Sequence, residues 1–222
     1  MKLVYPEWTS QITFSEGGTE IVQIEDPVYF SSVLGELVGQ CENDNGRFVL
    51  SDGDEILDFS KSAEIILSPF SLDVSSRKIS SEIVKRLVKV AYDEKFVETG
   101  NITSIILKYL YKLIDYEDIN VELNDEVDLQ MLFKSAGLKA AIDETSLLTR
   151  LTDYIFLIRD LLKVKLFICV NLLSYISEDQ FFAFKKTVTA GKISVLLLQS
   201  IVKSEMIKNK ERLIIDKDLC EI

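Results

Sequence analysis

The sequence predicts an α/β core that carries an inserted all-α segment. Val164–Val170 is a short apolar run rich in β-branched and aromatic side chains, and Ile193–Leu198 is a second one. Runs of this length and composition are typical of strands that are covered on both faces. Residues 177–191 have helical spacing and join the two runs. Two buried strands joined by a helix pair in parallel through a right-handed crossover.

The helix between these strands has start and stop signals. Ser177 is expected to accept a hydrogen bond from the backbone N–H of Gln180, whose side chain reaches back to form a capping box. At the other end, Gly191 is expected to adopt the left-handed conformation that ends many helices.

The first part of the chain predicts the same architecture. Residues 12–14 and 20–24, separated by two glycines, predict a hairpin or two short strands. Asp26 and Pro27 then predict the start of a helix, because Asp caps and Pro is preset for the first helical position. A hairpin around residues 52–55 and a buried strand at residues 63–67 follow. Arg212–Ile215 predicts a further short strand near the end of the chain.

Between these parts, residues from about 75 to 162 predict only helices. We therefore expect an α/β head made of residues 1–72 and 163–222, with residues 73–162 inserted as a helical leg. The four expected helices are marked by apolar residues over Ile79–Val90, over Ile102–Leu113 after Gly100-Asn101, from Asn124 to Gly137, and over Leu147–Leu161.

Composition excludes several functions. The net charge of −11 argues against a simple basic nucleic-acid binder, although a local basic face or a bound cation remains compatible with it. The absence of histidine removes Ser-His and Cys-His nucleophile systems and histidine-ligated zinc. Three separated cysteines without a C-x-x-C pair predict free thiols in a reducing cytoplasm. There is no apolar run of about 18 residues, so we expect a soluble, cytoplasmic protein with no membrane partner.

No catalytic signature is present. Gly191-Lys192 is followed by Ile193 and ends a helix, whereas a phosphate-binding loop opens one. Neither a dinucleotide-binding fingerprint nor a nucleophile elbow occurs. We therefore expect a protein that is not an enzyme.

The feature with most chemical content is an acidic segment between the second and third expected helices. Ca²⁺ takes six to eight oxygen ligands, which such a loop offers, although the spacing is not that of an EF-hand. The alternative is a solvated loop whose acidic residues cap helices. The segment contains Asp115, Glu117, Asp118, Glu122, Asp125, Glu126 and Asp128.

Basic residues are concentrated on the first expected leg helix and around the third. Lys78, Lys85 and Lys89 are spaced seven and four apart and can share a face. A solvated helix face is the default interpretation, and a DNA-facing stripe is the alternative. The basic residues in question are Arg77, Lys78, Lys85, Arg86, Lys89, Lys134 and Lys139.

Several strings, in order along nearly the whole chain, resemble the Csn-type CRISPR adaptation proteins of subtype II-A. No single string is a catalytic signature, so the resemblance rests on their shared order. The strings are Val22–Phe30, Lys134–Lys139, Leu166–Asn171 with Tyr175–Gln180, and Ile214–Asp218.

This resemblance implies a homotetrameric ring with a positively charged hole that binds linear double-stranded DNA at its ends and slides along it. It also implies bound Ca²⁺ and a role in spacer acquisition beside the integrase and effector nuclease of the same locus. No catalytic activity is implied, although the head would be similar to a nucleotide-hydrolase core that has lost its phosphate loop. Two other functions stay open, an acidic protein-interaction module without direct DNA binding and a divergent nucleotide hydrolase.

The resemblance carries over to few individual residues. The acidic run before Lys134 matches an acidic run of the family, which makes it our choice for calcium. The residues assigned to calcium are Asp118, Glu122, Asp125, Glu126 and Asp128. The residues assigned to DNA are Arg77, Lys78, Lys85, Lys134 and Lys139, of which the last two lie in a matching string.

Overall fold

The structure is a computed structural model that describes residues 1–42, 46–117, 120–143, 145–201 and 212–222. The chain divides into two compact units, the first made of residues 1–72 and 142–222 and the second of residues 73–141. The strands, all in the first unit, are β1 (Lys2–Val4), β2 (Ile12–Thr13), β3 (Thr19–Ile24), β4 (Val49–Asp52), β5 (Glu55–Ile56), β6 (Ala63–Ile66), β7 (Leu166–Val170), β8 (Ser194–Gln199) and β9 (Arg212–Ile215). The α-helices of the first unit are α1 (Pro27–Cys41), α2 (Phe59–Ser62), α6 (Leu147–Leu162) and α7 (Glu178–Ala190), and those of the second are α3 (Arg77–Asp93), α4 (Phe96–Ile114) and α5 (Leu129–Ser135).

A five-stranded parallel sheet lies at the centre of the first unit, with the strand order β6-β7-β8-β3-β9. Every residue of β7 and β8 is buried, and the two strands pair in parallel from Leu166 opposite Ser194 to Val170 opposite Leu198. The predicted mixed α/β fold with a buried parallel pair is therefore confirmed.

Helices cover both faces of this sheet. The chain crosses from β3 to β6 in one direction and returns through β7 to β8 in the other. Right-handed crossovers then place α1 on one face and α6 and α7 on the opposite face. The core agrees, because Leu166, Ile168, Leu196 and Leu198 belong to the same buried cluster as Val33 and Leu37 of α1.

A second sheet is antiparallel, with the order β2-β1-β4-β5, and contains the predicted hairpin of β4 and β5. Strands β2 and β3 belong to different sheets, so of the two alternatives for this region the two separate strands are confirmed.

Helix α6 differs from expectation. We expected it in the inserted leg, but it belongs to the first unit. Five of its side chains, Ile155 and Ile158 among them, are buried, and the hydroxyl of Tyr154 donates a 2.8 Å hydrogen bond to Glu64 of β6. Helical periodicity shows which face of a helix is apolar but not which neighbour that face covers, so the boundary at residue 162 was wrong.

In the second unit, two helix starts also differ from expectation. Helix α4 begins at Phe96 and runs through Gly100, and α5 begins after Asp128, not at Asn124. Across the described ranges, no helix is both long and apolar enough to cross a bilayer.

Helix α7 has the predicted capping box, but its C-terminus is built differently. Gly191 has an ordinary φ of −78°, and the left-handed residue is Lys192, with φ 55°. A Cβ at Gly191 would lie 2.7 Å from the ring of Phe156 in α6. The backbone angle thus does not call for glycine at residue 191, whereas a side chain there would force the ring of Phe156 in α6 to shift.

Gly191→Ala is expected to lower the free energy of unfolding by about 1–3 kcal/mol, because the added methyl group overpacks against Phe156. Gly35→Ala is the matched control, since Gly35 lies within α1 with open space around its Cβ position. It should raise stability by about 0.5–1 kcal/mol through the backbone entropy of glycine. Denaturant unfolding of both variants measures this contrast, and equal stability of Gly191→Ala and the wild type would show that the ring gives way.

Candidate functional site

Three of the five basic residues assigned to DNA line one cleft of about 400 Å³ in the second unit. Arg77 is the first residue of α3, whose start is fixed by the hydrogen bond from the backbone N–H of Ile79 to the hydroxyl of Ser76. Lys134 lies in the last turn of α5, and Lys139 follows soon after that helix. Lys134 and Lys139, which follow Arg77 by 57 and 62 residues in sequence, thus line the same cleft as Arg77.

The three cations of this cleft are exposed, and among the described residues none of them forms an ion pair. Ser75, Ser80 and Ser81 line the cleft as well, and the Ser75 hydroxyl already donates a 2.7 Å hydrogen bond to Asp73, which is not among the lining residues. Positive side chains with no carboxylate among the lining residues can accept an anionic ligand.

Lys78 and Lys85 do not line this cleft. On a helix they lie about 80–100° around from Arg77, on a separate exposed stripe with Lys89. Lys85 forms an ion pair with Glu82 at 3.3 Å, which neutralises part of its charge. The structure therefore brings Arg77, Lys134 and Lys139 together but leaves these two lysines apart from them.

A second group of basic side chains, which the sequence analysis did not single out, lines a cleft of about 410 Å³ in the first unit. It consists of Arg159, Lys163, Lys165 and Lys192, from the loops that precede β7 and β8 and the end of α6. The sequence signal was a lysine just before each buried strand. It becomes informative only when the starts of both strands are known to lie at the same edge of the sheet.

The basic group of the first unit is largely paired with carboxylates. Lys165 binds Asp52 at 3.0 Å and holds the pKa of that carboxyl below its usual value. Lys192 binds Glu16 at 2.8 Å, which raises the pKa of the lysine. These charges are already engaged within the chain, whereas the cations of the cleft in the second unit have no ion-pair partner in the described ranges.

The acidic residues assigned to calcium are only partly assembled. Asp125, Glu126 and Asp128 line one cleft beside Tyr92 of α3, and Glu122 does not line it. Within the described parts of the chain, no group of three Asp, Glu or Cys side chains is arranged to hold a metal ion. Asp118 lies outside the described residues.

Asp128 has a structural role in the acidic segment. Its Oδ1 accepts a 3.0 Å hydrogen bond from the backbone N–H of Met131, so it is the N-cap of α5. The described carboxylates of this segment are thus not arranged as a metal site, and the capping alternative describes Asp128 directly.

The turn between β3 and α1 shows how the sheet differs from a phosphate-binding core. Only Glu25 and Asp26 separate the strand from the helix, and Oδ1 of Asp26 accepts a 2.7 Å hydrogen bond from the backbone N–H of Tyr29. A carboxylate thus occupies the helix start where a phosphate would need free backbone N–H groups.

Asp128→Ala is expected to lower the free energy of unfolding by about 1 kcal/mol, because α5 loses its cap, whereas Asp128→Asn should keep it. Replacing Glu122, Asp125 and Glu126 together by alanine is the companion variant and leaves the cap intact. Denaturant unfolding with calcium and with chelator measures all three. If Asp128→Asn lost a calcium-dependent stabilisation that the wild type shows, Asp128 would be a ligand as well as a cap.

Comparison with known proteins identifies the family. The family model described as CRISPR-associated protein (Cas_Csn2) matches residues 40–219. A curated relative, the CRISPR-associated protein Csn2 of Enterococcus faecalis, is 24% identical over 177 residues, which cover 75% of this chain and 79% of the relative. The match includes both strands of the buried parallel pair and all of the second unit. The chain therefore belongs to the Csn2 family of CRISPR-associated proteins.

Proposed function

We propose that this protein is a non-catalytic, ring-forming protein that binds the ends of linear double-stranded DNA during CRISPR spacer acquisition. The observation that carries the proposal is the cleft with Arg77, Lys134 and Lys139, whose charges have no ion-pair partner among the described residues. Family membership supplies the CRISPR association. In the cell it would act in the cytoplasm beside the integrase and the effector nuclease of the same locus.

The lack of an ion-pair partner among the described residues is what favours a DNA contact at these cations over a purely structural role. A phosphate that meets Arg77 or Lys134 releases condensed counterions without first breaking an ion pair to any carboxylate that the structure describes. Lys165 or Lys192 would have to give up a carboxylate to make the same contact. The cleft of the second unit is therefore the better candidate for the DNA contact.

Self-association is supported by the surface of α4. This 19-residue helix has no buried residue, and Ile102, Ile105, Tyr109 and Leu113 recur at steps of three and four on one exposed stripe. The exposed fractions of Ile105 and Tyr109 are 65% and 60%. An apolar stripe of this length is typical of an interface, and a second copy of the chain is the occupant we propose, as one contact of a tetrameric ring.

Calcium is a separate part of the proposal. The family resemblance implies it, but the described carboxylates do not form a site for it. We therefore derive no DNA contact from a bound ion, and calcium dependence stays a prediction.

Of the two alternative functions, the nucleotide hydrolase has the least support, because Asp26 caps the helix that would receive the phosphates. The interaction module without DNA binding makes a distinct prediction, namely no affinity for linear duplex.

Lys134→Ala and Lys139→Ala are each expected to weaken binding to linear duplex by roughly three- to tenfold and to reduce the salt slope by about 1, since each removes one phosphate contact. Lys61→Ala is the matched control, because Lys61 is an exposed lysine already paired with Asp58 at 2.7 Å. Fluorescence anisotropy over a salt series measures both quantities. Equal affinities of all three variants would place the DNA contact elsewhere, and no binding by the wild type would favour the interaction module.

Ile105→Glu is expected to lower the mass of the assembly in solution, because a charge on the stripe of α4 cannot be buried against a second copy. Val97→Glu is the control, since Val97 is exposed on the same helix but off the stripe. Light-scattering mass should be near four chains for the wild type and the control and smaller for Ile105→Glu. A monomeric wild type would contradict the ring.

A further inference from the structure

The cleft of the second unit is apolar inside and basic at its rim. Val84, Phe133 and Leu138 contribute apolar lining, while Arg77 comes from α3 and Lys134 and Lys139 from the region of α5. Contact with the phosphate backbone of a duplex requires only these three cations. An apolar, aromatic lining next to them indicates a ligand that is anionic at one end and apolar or aromatic at the other.

The size of the cleft limits what that ligand can be. Its volume of about 400 Å³ lies within the roughly 300–1,000 Å³ of small-molecule sites. The apolar lining cannot receive a base of a paired duplex, whose backbone reaches only the basic rim, because a base pair within a stacked helix presents only its edges and its backbone. A single unpaired nucleotide has the right size and offers a base, a sugar and phosphates together.

We propose that this cleft holds one unpaired nucleotide of a single-stranded overhang at a DNA end, with its base and sugar against Phe133 and Leu138 and its flanking phosphates at the basic rim. The inference rests on the proposed DNA-binding function and specifies the kind of end that the site accepts. A nucleotide within a single-stranded overhang has a phosphate on each side, which matches cations supplied from α3 and from the region of α5. Base-to-aromatic contact is tolerant of sequence, so every base is accepted.

The test compares a blunt duplex with the same duplex carrying a three-nucleotide single-stranded overhang of either polarity. Wild-type protein is expected to bind the overhang duplex about tenfold more tightly, a factor typical of one base contacting an aromatic side chain. Phe133→Leu keeps an apolar side chain in the cleft and should remove most of this preference. Phe96→Leu is the matched control, because Phe96 is an exposed aromatic residue of the same unit outside this cleft.

A second measurement does not depend on a variant that folds. Deoxyadenosine monophosphate is expected to displace the overhang duplex from wild-type protein at a concentration at least tenfold lower than inorganic phosphate requires. Equal potency of the two competitors would overturn the inference, because the site would then recognise the negative charge and not the base or the sugar.

The outcomes separate this inference from the function on which it rests. If the wild type binds blunt and overhang duplexes equally, the cleft does not hold an unpaired nucleotide, while DNA binding itself stands. If it binds neither duplex, the proposed function and this inference both fail. If overhang preference is present but Phe133→Leu and Phe96→Leu both retain it, the unpaired nucleotide is held elsewhere and the assignment to this cleft is wrong.

Discussion

The complete burial of β7 and β8 is the constraint on which the first unit depends. Strands with apolar side chains on both faces need a cover on each side, and the reversal of chain direction across the sheet supplies it, with α1 on one face and α6 and α7 on the other. The same constraint draws α6 into the first unit and brings Phe156 against the end of α7. Gly191 is then needed for space, and Lys192 takes the left-handed position.

The charges around a cleft, and not the net charge of the chain, determine whether a phosphate can bind there. A net charge of −11 suggests a chain that repels DNA, yet three cations in one cleft lack a carboxylate partner among the described residues. At physiological salt the Debye length is about 8 Å, so a phosphate at the rim responds mainly to the nearest side chains. For phosphate binding, it therefore matters more whether a lysine is already paired with a carboxylate, as Lys165 is with Asp52, than what the net charge of the chain is.

The carboxylates of the acidic segment are compatible with two physical roles. Carboxylates near a helix start can coordinate a hard cation or can satisfy backbone N–H groups that have no intrahelical partner. For Asp128 the structure assigns the second role through its hydrogen bond to Met131. The first role requires several carboxylates to converge on one point, which depends on loop conformation and not on spacing along the chain.

The sequence by itself determined the buried parallel pair, the capping box at Ser177, the start of α1 at Asp26-Pro27 and the family, because each depends on neighbouring residues or on strings kept in order along the chain. It did not determine the unit to which α6 belongs, the reason for glycine at residue 191, or the cap of α5. Nor did it show that Arg77 meets Lys134 and Lys139 while Lys78 and Lys85 lie apart. Tertiary structure decided these features, because they depend on which surfaces pack together, and periodicity along one element carries no information about its neighbour.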